Sequence, residues 1–253
     1  MRNVIVGPDG ARMRWVEMGA GGRVHVYLHG LGSSSVTYFA QSVAHPALSG
    51  PRSLLLDLLG FGLSDRPRSF GYSLEDHARS VATVLDALEV DAANVVGHSM
   101  GGSAAIMLAA QRPDLVNRLV LAEPNLDPSP RPRIEGYTED EFTADGFGSA
   151  LASIDSEWAA TMRLADPIAV YRSERGLGRG TTPMMRQVLK DLGIPRTVLV
   201  GELSDDLDGA DELIAAGVSI VPIAGAGHNS MVDNPEDFAV ETARAFREPV
   251  PDF

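Results

Sequence analysis

The chain has no cysteine among its 253 residues. That excludes disulfides, thiolate catalysis and thiolate metal sites, and it suits a reducing compartment. Positive charge is also scarce: 21 Lys and Arg face 34 Asp and Glu, a formal net charge of −13. A polyanion such as DNA is repelled on average, as is an anionic membrane surface, so neither nucleic acid nor membrane is an expected partner. The simplest role of the acidic balance is solubility. No apolar run reaches the roughly 18 residues of a membrane span; "SAAIMLAA" reads only as a buried helix. The opening "MRNVIVGPDG" has no apolar core of a signal peptide, so a cytoplasmic location is expected. Repeats and low-complexity tracts are missing as well. What is present is ample apolar material, 44% of residues, in a chain long enough to bury about three-quarters of its unfolded surface.

Along the chain, short apolar strands alternate with helical patterns. "NVIVG" and "ARMRWVEMG" flank the turn "GPDG" and predict a hairpin. "RVHVYLHG" predicts a third strand ending at Gly30, and residues 34–48 a weakly patterned helix. A buried strand is expected at Ser53 to Asp57, before the loop "GFGLSDRP". The clearest helix begins at Ser73. Ser73 and Asp76 have capping-box spacing, and Leu74, Ala78, Val81, Leu85 and Leu88 recur on one face. "ANVVGH" predicts a strand, "MGGSAAIMLAAQ" a helix stopping before Pro113, and "VNRLVLAE" a further strand. Strands without polar alternation, interleaved with helices, predict an α/β fold with a mostly parallel sheet covered on both faces.

The pattern breaks at "EPNLDPSPRPR", and residues 134–191 read as irregular helices. The alternation then returns: "RTVLVG" as a strand, an acidic helix near 206–216, "VSIVPI" as a strand and a last helix from Pro235 to Arg247. We therefore expect a core of residues 1–124 and 192–253 with a cap insertion at 125–191. The competing arrangement is two ordinary helices on one sheet face.

One stretch carries most of the chemistry. In "VVGHSMGGS", Ser99 lies between an apolar run and a helical one, with Gly97 and Gly101 two residues to either side. A nucleophile at a sharp strand-to-helix turn needs small neighbours so that strand and helix can approach. The turn exposes the hydroxyl beside a helix N-terminus, where amides can hold an oxyanion. The plainer alternative is a glycine-rich turn whose serine caps the helix. Three further segments argue for the catalytic reading. "YLHGLGSSS" ends a strand; it lacks the third glycine of a dinucleotide loop, and its Gly30 turn suits an amide donor at Leu31, with Met100 as the second donor. His29 there is expected to be structural. "GAGHNS" places His228 late in the chain, in a small-residue loop after a strand, as a general base requires. "VGELSDD" supplies a carboxylate, Asp205, after another strand.

Together "HGLG", "DLLGFGLSDRP", "GHSMGG", "LVGELSD" and "GAGH", in that order and spacing, resemble the α/β-hydrolase fold superfamily over nearly the whole chain. The resemblance implies an eight-stranded, mostly parallel sheet flanked by helices, with a small helical cap after the sixth strand. It implies Ser99 as nucleophile, His228 as base, Asp205 as acid and the Leu31 and Met100 amides as oxyanion hole. Leu59 stands where many relatives have proline, which leaves the catalytic pattern untouched. "LAEPNLD" matters more, because some members place the acid after the sixth strand, where Glu123 sits. Asp205 is preferred, with Glu123 and then the neighbouring Asp206 as competitors.

The expected chemistry is acyl transfer through an acyl-enzyme, with no cofactor and no metal: the six histidines are scattered without ligand spacing. A serine at position 99 argues against dehalogenase and epoxide hydrolase chemistry, which use aspartate there. Trp158, Met162, Met184 and Met185, with Phe142 and Phe147, can line an apolar pocket or simply pack the cap onto the core. The expected substrate is a small or medium, uncharged or weakly polar ester or lactone. Carbon–carbon bond hydrolysis, lyase or perhydrolase chemistry, and slow receptor-like ligand binding remain open on the same residues.

Overall fold

The computed structural model describes residues 1–154 and 156–247. Residue 155 of the expected cap and residues 248–253 of the expected core lie outside them. Eight strands form one sheet: β1 (Arg2–Ile5), β2 (Arg12–Met18), β3 (Gly21–Leu28), β4 (Pro51–Asp57), β5 (Ala93–His98), β6 (Val116–Ala122), β7 (Arg196–Gly201) and β8 (Val218–Ile223). Their spatial order is β1-β2-β4-β3-β5-β6-β7-β8. Only the β1–β2 and β2–β4 pairings are antiparallel; the five from β4 through β8 are parallel. The strand that carries "ANVVGH" is buried along its whole length, as expected where helices cover both faces.

Three helices frame the central strands: α1 (Ser35–Ala44), α2 (Leu74–Ala87) and α3 (Met100–Gln111). The helix α1 ends earlier than its sequence pattern suggests, two residues before Pro46, which cannot extend it. The capping box of α2 forms as expected, with Asp76 N–H donating to the Ser73 hydroxyl and Ser73 N–H to the Asp76 carboxylate. The acidic helix forecast over 206–216 is confined to Ala210–Ala215. Gly209 sits in the left-handed region at φ 64°, and Asp205, Asp206 and Asp208 precede the helix rather than open it. A short helix at Ser230–Asp233 was not foreseen; the last one, Pro235–Arg247, was.

Between β6 and β7 the chain makes a long excursion. It begins without regular structure through the proline-rich segment, then forms helices at Glu139–Glu141, Phe147–Ala152, Trp158–Met162, Pro167–Arg179 and Met185–Asp191. It packs on the loops that follow β3 and β4. Trp158 Nε1 donates to Leu31 O at 2.8 Å, Asp166 N to Gly60 O at 2.8 Å, and Arg172 Nη1 to Phe70 O at 2.7 Å. Phe142, Met162, Ile168 and Ala169 share one apolar core with β2, β4 and α2. The excursion thus covers the carboxyl ends of the parallel strands, the edge at which open α/β sheets build their sites.

Candidate active site

Ser99 follows directly after β5 and precedes α3, and its backbone lies at φ 50°, ψ −119°. A non-glycine residue with positive φ is costly, by about 1–3 kcal/mol, and persists only where its surroundings enforce it. Here they do. A Cβ on Gly97 would lie 2.6 Å from both Gly101 O and Gly102 Cα, and one on Gly101 would lie 2.4 Å from His29 O and Leu28 O. The glycines at both sides of Ser99 are therefore the points where strand, helix and the β3 loop touch backbone to backbone. Gly30 serves the same close approach from the other side: a Cβ there would meet His98 Nδ1 at 2.8 Å and Ser99 Cβ at 3.2 Å. The serine does not cap its helix, since its side chain makes no cap hydrogen bond. Its hydroxyl donates instead to Asn125 Oδ1 at 3.3 Å, a residue of the excursion that sequence reasoning missed. Asn125 O in turn accepts from Ser103 Oγ at 2.7 Å.

The amides of Leu31 and Met100 take no acceptor among the described residues. Both residues are buried, so both N–H groups are donors in want of a partner beside the serine. His29 next to them is fully engaged. Its Nε2 accepts from Leu58 N at 3.0 Å, which leaves Nδ1 to donate to Gly30 O at 2.7 Å. This side chain ties the β3 loop to the β4 loop. Asp57 does the same, accepting from Ser35 N at 2.8 Å and Leu63 N at 2.9 Å.

Ser99 and His228 line one cavity of about 270 Å³, together with Leu31, Tyr38, His98, Asn125, Arg131, Arg133, Trp158 and Leu177. His228 is held from beneath by His98, whose Nε2 lies 2.9 Å from His228 O. His228 as a residue is partly open to solvent. Protein crowding around the rest lowers its proton affinity below the ordinary histidine value. Arg131 lowers it too, whereas Glu123 and Asp233 raise it.

The carboxylates separate clearly. The parallel register pairs His98 with Ala122, so Ser99 and Glu123 are side by side at the strand ends, and Ser99 N donates to Ala122 O at 2.9 Å. Glu123 also has positive φ, 48°. Its N–H donates to Leu199 O, and its Oε1 accepts from Gly201 N at 2.8 Å. Gly201 in turn lies under the histidine loop, where a Cβ would sit 2.5 Å from Gly227 O. Glu123 therefore reaches from β6 across the end of β7 to the base of the loop that carries His228, and it heads the carboxylates acting on that ring. Asp205 is exposed in the segment after β7 and is not among the charges that act on His228. Asp206 is likewise exposed.

Of the expected pocket residues, Trp158 lines the cavity. Met162 is buried against Gly32, where a Cβ would lie 2.5 Å from its sulfur. Met184 is half exposed, and Met185 is buried and lines not the Ser99 cavity but a crevice with Leu74, Asn125 and Gly180. Phe142 is fully buried and Phe147 packs against the core. These side chains hold the excursion in place, since methionine fills irregular gaps as readily as it lines pockets. The polar lining was missed because Asn125, Arg131 and Arg133 lie in an irregular segment with no periodicity to read. Among the described residues, no group of three or more His, Asp and Glu is placed to hold a metal ion. No helix there is long and apolar enough to cross a membrane.

Comparison with known proteins matches residues 26–167 to the family described as alpha/beta hydrolase fold. An uncharacterized protein of Mycobacterium tuberculosis is 33% identical over 178 residues, 66% of this chain and 48% of that protein. A 2-hydroxy-6-oxo-2,4-heptadienoate hydrolase of Pseudomonas putida is 37% identical over 106 residues, 42% of this chain and 38% of that protein. These matches span less than half the length of those two curated relatives. Among solved structures, the enol-lactonase from Burkholderia xenovorans LB400 superposes with a TM-score of 0.81 at 20% identity, over 98% of this chain and 100% of its own.

Proposed function

Since this chain belongs to the alpha/beta hydrolase fold family, we propose that it is a serine hydrolase that cleaves a small or medium carboxylic ester or lactone through an acyl-enzyme on Ser99. The observation that carries this reading is the strained Ser99, at φ 50°, sharing a cavity with His228. In this reading His228 takes the serine proton and Ser99 attacks the carbonyl carbon. The amides of Leu31 and Met100 hold the oxyanion, and His228 returns the proton to the leaving oxygen. Water then attacks the acyl-enzyme with His228 as base. Glu123 takes the part first assigned to Asp205. It orients His228 and stabilises the imidazolium, a role supported by its place at the end of β6 and by its first rank among the carboxylates acting on that ring. Asn125 holds the resting serine hydroxyl and must release it for attack.

The test is turnover of p-nitrophenyl butyrate by wild type and Ser99→Ala, with fluorophosphonate labelling of Ser99. Turnover that survives in the variant overturns the assignment. Carbon–carbon bond hydrolysis by the same residues is a second reading. It is favoured by the similarity to the Pseudomonas putida relative, whose name describes a hydrolase of a 2-hydroxy-6-oxo-dienoate.

A further inference from the structure

The excursion puts two arginines into the wall of the cavity that Ser99 lines. Arg131 and Arg133 line it together with Ser99, Asn125, Trp158 and His228. Arg133 lies over the Trp158 ring at 4.9 Å. Behind them is one carboxylate, Glu174, whose side chain is completely buried. Arg133 donates to Glu174 Oε1 at 2.7 Å, and Arg131 Nη1 stands 3.5 Å from Oε2. Two guanidinium charges thus share one carboxylate charge. Glu174 is the carboxylate that acts on Arg131, and Arg133 acts against it. The cluster keeps an unbalanced positive charge at the cavity.

The donor inventory points the same way. Arg131 is largely buried, and its Nε and Nη2 have no acceptor among the described residues. Those two atoms form the edge by which arginine grips a carboxylate side-on. Elsewhere in this chain that edge is used so: Arg172 presents Nε and Nη2 to the two oxygens of Glu139, each at 2.8 Å. Arg52 does likewise with Glu17, at 3.0 and 3.3 Å. On Arg131 the same edge is buried and empty of protein partners. Leaving two charged donors without acceptors is costly; both are closed off from solvent, so Arg131 must turn its guanidinium into the cavity it lines to offer them, and a ligand carboxylate then takes both. The site also stands against the background of a protein of net charge −13. An acidic ligand gains nothing from the molecule at large and needs a local cationic anchor.

We propose that Arg131, supported by Arg133, forms a carboxylate-binding subsite of the cavity, and that the substrate carries a carboxylate in addition to the bond that is cleaved. The second half rests on the serine-hydrolase reading; the first does not. The subsite replaces the expectation of an uncharged substrate. Trp158, Tyr38 and Leu177 supply apolar lining to the same cavity.

The test compares binding of monomethyl adipate and dimethyl adipate, which differ by one carboxylate, to the Ser99→Ala protein by isothermal titration calorimetry. Monomethyl adipate is expected to bind about tenfold or more tightly, as a charge-assisted bidentate contact provides. Arg131→Met should abolish the preference and Arg131→Lys should restore part of it. Equal affinities, no binding of either ester, or a preference that survives Arg131→Met overturns the subsite. The comparison in Ser99→Ala with Arg131 intact stands even if an Arg131 variant fails to fold. Fluorophosphonate labelling of Ser99 and turnover of p-nitrophenyl butyrate separate the two readings. Labelling and turnover without a carboxylate preference leave the hydrolase and overturn the subsite. Carboxylate-selective binding with neither labelling nor turnover leaves the subsite and overturns the hydrolase.

Discussion

Replacing Glu123 by glutamine removes one negative charge and almost nothing else. The glutamine carbonyl can still accept from Gly201 N–H, the bond that Glu123 Oε1 makes at 2.8 Å. That bond weakens from charge-assisted to neutral, a loss of about 1 kcal/mol. For a chain of this size the melting temperature should fall by only about 2–4 °C. Catalysis should suffer far more. A neighbouring charge within roughly 4–6 Å of an imidazolium, at an effective dielectric near 20, is worth about 3–4 kcal/mol. Lost from the transition state, that is a fall of roughly 10²–10³ in kcat. Asp205→Asn is the control: an exposed carboxylate outside the field of His228 should change kcat less than about threefold. The pH profile supplies an independent reading. As the proposed base His228 must be neutral to act, and burial places its folded value below 6.5 while Glu123 pushes it back up. Activity should therefore hold as pH falls to 6.5 and be lost below it. In Glu123→Gln the acidic limb should move further down, because one charge favouring the protonated ring has gone. Asp233 remains to raise it and Arg131 to lower it. Hydrolysis of p-nitrophenyl butyrate from pH 4.5 to 9 by the three proteins, with melting curves at each pH, measures all of this. A larger loss in Asp205→Asn than in Glu123→Gln would refute the reasoning and return the acid to the end of β7.

Ser99→Gly should melt higher than wild type, by a few degrees for each kcal/mol recovered, because glycine takes φ 50° without strain; differential scanning calorimetry checks it, and turnover should be lost. Gly97→Ala should lower the melting temperature, since its Cβ meets backbone atoms at 2.6 Å that no rotamer change can move. Glu174→Ala leaves two guanidiniums without their buried carboxylate and should cost about 3–5 kcal/mol in denaturant unfolding, against near-neutral values for the exposed Asp206→Ala.

The sheet was legible because its strands are short, apolar and bounded by turn residues. Val95, Val96 and Gly97 read as a buried strand and are one, and the strand-to-helix turn at Ser99 was legible because glycines at fixed spacing state a steric demand. The helix α2 announced itself through Ser73 and Asp76, a local device that needs no partner from elsewhere in the chain. The strand order, the register and the identity of the residues facing His228 are different in kind. Glu123 and Asp205 both follow strands and both carry a carboxylate, and the sequence pattern put Asp205 first. Only the parallel pairing of β5, β6 and β7 sets Glu123 beside Ser99 and under the histidine loop, while Asp205 turns out to solvent. Met162 and Met185 were candidates for the cavity because apolar side chains look alike in sequence, whether they line a cavity or fill a core. Arg131 sits among prolines with no period to read, and its unmet donors exist only because the folded excursion buries them away from water. Local sterics and hydrophobic pattern are written residue by residue; which charge meets which is decided when distant strand ends and a long loop close over the same edge of the sheet.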